Sequence, residues 1–145
     1  MARQLFTLYC DDIRTELGGK VSYMGCYAGV MYVPQFPATL PKLCMFLKAT
    51  SPSTQPFGRV TVRVLYNDKV IGEQEIDPMS EPEPAPDDSR KRLHTIRVHF
   101  IFSPAMLPEP GLIKVRFIDE KGKEMKGTSL RIEQGDPGQF PPDTL

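Results

Sequence analysis

The sequence predicts an all-β protein, an antiparallel two-sheet sandwich of about eight strands. Three observations carry that reading. Runs rich in β-branched and aromatic residues recur at short spacing, and Arg59-Val60-Thr61-Val62-Arg63-Val64-Leu65-Tyr66 alternates with the period of two expected of a half-buried strand. No stretch shows helical periodicity. The chain's 15 prolines fall largely between the apolar runs, as crossing loops require.

Leu5 to Arg14 and Val21 to Tyr27 flank Gly18-Gly19-Lys20, and glycine reaches the positive φ that tight hairpin turns need. A turn centred near Gly18 sets Cys10 opposite Cys26, with Asp11 and Asp12 beside the pair. Pro34 to Pro41 carries three prolines and reads as a crossing loop. Lys42 to Ala49 is a near-continuous apolar run. Arg59 to Tyr66 and Lys69 to Ile76 form a second hairpin about Asn67-Asp68-Lys69.

Residues 77–91 combine four prolines with five carboxylates, too little apolar surface to offset ordering entropy, and read as a mobile loop within a single domain spanning 1–145. Arg92 to Phe102, Leu112 to Asp119 and Lys126 to Glu133 are the remaining strands. The segment 135–145 ends regular structure.

Composition removes several function classes. Lys plus Arg and Asp plus Glu each number 18, so no global field attracts nucleic acid or an anionic membrane. No stretch reaches the roughly 18 apolar residues of a membrane span. With no signal-like start and an odd cysteine number, the expected compartment is the cytoplasm, with reduced thiols at Cys10, Cys26 and Cys44.

Cys10-Asp11-Asp12-Ile13-Arg14 with Glu16, Gly19-Lys20, Gly25 and Tyr27, followed by Phe36-Pro37-Ala38-Thr39-Leu40-Pro41-Lys42-Leu43, resembles an uncharacterised family of small bacterial and phage proteins. The resemblance covers most of residues 4–133 and implies an immunoglobulin-like sandwich behind an N-terminal hairpin. It implies no activity and transfers no catalytic residue. The chain has no tryptophan, and its candidate cysteine pair lies within one hairpin, so the likeness is one of architecture and not of antibody-type packing.

Candidate sites follow from local chemistry. Asp11 and Asp12 could hold a divalent cation only where the strand breaks, since neighbouring strand residues face opposite ways; a bend, with one carboxylate paired to Arg14 or Lys20, is the preferred reading. No metal or other cofactor is expected. His94 and His99 are five residues apart, on opposite faces of one strand, and lack the spacing of a zinc site. Arg59, Arg63, Arg97, Lys114, Arg116 and Arg131 would form a basic plate if their strands were neighbours, although a solvated face is the simpler account and stacking aromatics are missing from those positions.

Tyr23, Tyr27, Met31, Tyr32 and Phe36 are interaction candidates, being residue types favoured at interfaces. Edge strands allow a homodimer. The expected function is a non-enzymatic binding module for a protein partner in a bacterial or phage setting. The alternatives are a metal-dependent or thiol enzyme centred on Cys10, Asp11 and Asp12, and anion or nucleic-acid binding through the basic face, with nucleic acid disfavoured.

Overall fold

Alternation along the chain translates directly into strands. The computed structural model describes residues 2–78 and 81–136. The first hairpin is β1 (Gln4–Thr15) and β2 (Val21–Cys26), joined through Gly18 and Gly19 at φ 81° and 75°. Then follow β3 (Val30–Val33), β4 (Ala38–Leu40), β5 (Leu43–Pro52), β6 (Val60–Tyr66) and β7 (Lys69–Ile76). The remaining elements are β8 (Glu83–Pro84), β9 (Arg92–Phe102), β10 (Ala105–Leu107), β11 (Gly111–Ile118), β12 (Glu124–Lys126) and β13 (Leu130–Gln134). No helix occurs among the described residues.

These strands form a five-stranded sheet in the order β2-β1-β5-β9-β8 and a six-stranded sheet in the order β3-β13-β11-β6-β7, with β12 also on β11. A separate two-stranded sheet joins β10 and β4. All pairings are antiparallel except β3 with β13.

The core draws on both large sheets. Tyr9, Met45, Leu47, Ala49, Ile96 and Val98 come from the five-stranded sheet; Val60, Val62, Val64, Ile113, Val115 and Phe117 come from the six-stranded one. Along β6 every second residue is buried, so one face meets the core and the other carries Thr61, Arg63 and Leu65. Between the sheets, the Tyr9 hydroxyl donates to Thr128 O at 2.6 Å and Thr128 N donates to Thr7 Oγ1 at 2.9 Å.

The strands beyond those expected are short, and their brevity has local causes. Ala38–Leu40 lies inside the segment expected as a crossing loop; Pro37 and Pro41 bracket it, confining it to a three-residue ladder with β10. Glu83–Pro84 pairs with Leu93 and Arg92 inside the acidic 77–91 segment, where Ala85 is buried. The last expected strand divides at Gly127, whose amide donates to Val115 O and where an added Cβ would lie 2.6 Å from Thr7 Cγ2. Met79, Ser80 and residues 137–145 of the expected tail lie outside the described residues.

Candidate functional site

The register of the opening hairpin is the one its glycine turn predicts: Cys10 is opposite Cys26 on β2 and, across its other edge, opposite Cys44 on β5. Three free thiols therefore form one row across three adjacent strands. Cys10 and Cys44 are buried and Cys26 is exposed. Burial pushes the Cys10 thiol up to about 11, and it donates to Asp12 O at 3.4 Å. Cys44 is raised by the same cause. Thiols raised in this way attack slowly, whereas a catalytic thiol nucleophile sits in surroundings that favour the thiolate.

The two aspartates are each engaged locally. Asp11 accepts a hydrogen bond from the Tyr27 hydroxyl, and Asp12 accepts from Lys42 Nζ at 3.1 Å and from Ile13 N at 2.9 Å. The Lys42 contact holds the Asp12 carboxyl below its ordinary range. Arg14, an expected partner of this pair, instead lies 3.7 Å from Glu16. Among the described residues no three His, Cys, Asp or Glu side chains converge as a metal ion would need.

Gly25 makes the Asp11 arrangement possible. Its φ is +68°, and an added Cβ would sit 2.2 Å from Asp11 Oδ2. Gly25→Ala is therefore expected to destabilise by about 2 kcal/mol through left-handed strain and displacement of the carboxylate. Urea unfolding checks this, and an unchanged midpoint would show that the hairpin relaxes freely.

Beyond the thiol row, the outer face of the five-stranded sheet is aromatic. The Tyr23 and Phe46 rings are 5.1 Å apart, Phe46 and His99 5.3 Å, and Tyr23 and His99 5.8 Å. The Tyr23 hydroxyl is 3.0 Å from His99 Nε2. Phe6 meets Phe46 edge-on at 6.2 Å while remaining 53% exposed, and Ile101, opposite Cys44, is 56% exposed. Phe6, Phe46, Lys48 and Thr50 line a shallow groove of about 720 Å³. His94 takes no part, being half-buried opposite Ser51.

The interaction surface read from sequence does not form as a unit. Met31 is 2% exposed and belongs to the core, because β3 turns it inward beside β13. Tyr27 and Phe36 pack against the same core. Tyr32, 45% exposed, lies on β3 in the six-stranded sheet, whereas the half-buried Tyr23 belongs to the five-stranded one. Tyr23 alone of the five contributes to the aromatic face. Phe6, Phe46 and Ile101 are not among the expected site residues, and His99, considered there only as a metal ligand, joins them; the odd-even alternation along β9 pairs His99 with Ile101.

The basic plate is also corrected. Arg97 lies on β9 in the other sheet, held by Glu83 through bonds of 3.0 and 3.1 Å. Arg59 pairs with Glu75 at 3.1 Å, Arg63 with Glu73 at 2.8 Å, Arg116 with Glu124 at 3.1 Å and Arg131 with Glu133 at 3.2 Å. Lys114 lies 3.7 Å from Asp68. Each of these six cations thus has a carboxylate beside it, and together they make a mixed lattice of charge, not a field of one sign.

Sequence comparison matches residues 5–133 to a family of unknown function (DUF6941). No curated protein matches the chain.

Proposed function

The chain belongs to this family of unknown function, and we propose that it is a non-enzymatic binding module whose outer five-stranded face docks a protein partner. The contrast between the two outer faces carries the reading. The six-stranded face intersperses single exposed apolar residues such as Tyr32, Val70 and Leu112 with paired charges, while the five-stranded face exposes Phe6 and Ile101 beside a contiguous Tyr23, Phe46 and His99 cluster. Exposed aromatic and aliphatic side chains next to a preassembled ring cluster suit a partner that brings its own apolar surface.

The scaffold proposed for this role is a two-sheet sandwich of immunoglobulin-like architecture, supported by a core that takes side chains from both large sheets. The bacterial or phage setting rests on the resemblance of the N-terminal hairpin. A reducing compartment such as the cytoplasm suits three free thiols. The raised Cys10 thiol and the locally paired Asp11 and Asp12 favour binding over a thiol or metal enzyme at that place.

The test is affinity capture from the native host with wild type and with Phe6→Ser/Ile101→Ser, followed by mass spectrometry. The variant is expected to keep its melting temperature within about 2 °C, since both positions are exposed, and to lose a partner that wild type retains. Identical captured sets from the two proteins would reject this face as the docking surface.

A further inference from the structure

The hydrogen bond beside the thiol row determines what kind of pair Cys10 and Cys26 make. Tyr27 N donates to Tyr9 O at 2.9 Å. In an antiparallel ladder, a bond from the residue after one member to the residue before the other brackets a non-hydrogen-bonded pair. Such pairs approach closest, with Cα atoms about 4.5 Å apart, inside the roughly 4.4–6.8 Å that disulfides span.

Access separates this pair from its neighbour. Cys44 also faces Cys10, but both of those thiols are buried, and Cys44 Sγ is turned to Asp11 O at 3.9 Å. Cys26 is exposed and lies on β2, the edge strand of its sheet. Its thiol faces Tyr23 O at 3.8 Å, and rotation about Cα–Cβ at Cys26, with release of Cys10 Sγ from Asp12 O at 3.4 Å, brings the two sulfurs toward each other.

We propose that Cys26 is a peroxide-oxidised site that Cys10 resolves into a cross-strand disulfide. The Cys26 thiolate attacks one peroxide oxygen; the O–O bond breaks, Cys26 becomes a sulfenic acid, and hydroxide leaves to take up the thiol's proton as water. Cys10 sulfur then displaces the sulfenic hydroxyl, so that an S–S bond forms as the S–O bond breaks. The Cys10 proton leaves with that hydroxyl as a second water. Two thiols are oxidised by two electrons, and one peroxide is reduced to two waters.

The bridge would tie the opening hairpin covalently at the end opposite its glycine turn. It would also fix the strand that carries Tyr23 onto the aromatic face. The chemistry itself does not depend on any partner, so it stands or falls apart from the binding role.

The experiment treats the reduced full chain with hydrogen peroxide, then denatures, alkylates and maps the peptides by mass. The expected product is monomeric, lighter by two hydrogens, with a single alkylatable thiol left of the three cysteines, at Cys44, and with full recovery on adding dithiothreitol. Cys44→Ser is expected to bridge like wild type, and Cys26→Ser not to bridge. No loss of hydrogen, oxygen added at Cys26 without a bridge, a Cys26-linked dimer, or a bridge that includes Cys44 would each overturn the proposal. Because position 26 is exposed, the Cys26→Ser arm does not depend on tolerating a core substitution.

Discussion

Phe117→Ala is expected to cost about 3–5 kcal/mol and, for a chain of this size, to lower the melting temperature by roughly 10 °C or more. Phe117 is fully buried, lies opposite Val62 on one side and Met125 on the other, and meets the Phe57 ring edge-on at 5.5 Å. Truncation removes most of a ring from among strands locked in register, so the neighbours can close only part of the void. The control is Leu112→Ala on the same strand, where the side chain is 36% exposed; its cost should stay near 0.5 kcal/mol. Urea unfolding followed by circular dichroism measures both. Equal small losses at the two positions would mean that β11 does not divide into a core face and an outer face.

That division was legible because β6 and β11 alternate cleanly. Val60, Val62 and Val64, and likewise Ile113, Val115 and Phe117, declare one buried face each. β5 does not declare a face: Leu43 through Leu47 are all buried, and a continuous apolar run leaves open which side meets the core. The core takes Leu43, Met45 and Leu47, while Cys44 and Phe46 lie under the outer cover of Cys10, Phe6 and Tyr23. The aromatic face was therefore hidden within a run that also builds the core.

The pairing of Arg63 turned on a single extra residue. The turn at Asn67 and Asp68 sets Tyr66 opposite Lys69 and Leu65 opposite Val70, and continuing that register would place Arg63 opposite Gly72. A β-bulge between Val64 and Leu65 shifts the ladder, so that Arg63 meets Glu73 and the cation is neutralised across the strand. Nothing in the local composition announces the bulge. By contrast, the Cys10 and Cys26 register was readable because Gly18 and Gly19 alone fix that turn and no bulge intervenes.

The second large effect concerns a residue that no sequence pattern singled out. Arg3→Ala is expected to destabilise by about 2–4 kcal/mol. The guanidinium donates to Ser51 Oγ at 2.9 Å, to Asp119 Oδ2 at 3.1 Å and to both Glu120 carboxylate oxygens at 2.8 and 2.7 Å. It also lies 4.6 Å from the centroid of the Phe57 ring, itself packed on Phe117. One side chain thereby joins the start of the chain, the end of β5 and the turn after β11. Its removal leaves Asp119, a buried carboxylate, held by the backbone amides of Lys121 and Lys123.

The pH dependence separates this contact from a simple loss of packing. The hydrogen bonds from Arg3 hold the Glu120 carboxyl down to about 2, from an ordinary 4.5. A carboxyl depressed on folding contributes stability that is present above its unfolded value and lost as pH falls through the folded one. Wild type should therefore lose this contribution progressively from about pH 4.5 toward pH 2, and Arg3→Ala should lose less. The gap between the two urea midpoints is expected to be widest near pH 6 and to narrow steadily on acidification. A gap independent of pH would assign the effect of Arg3 to its stacking on Phe57 and its contact with Ser51, and not to its hold on Glu120.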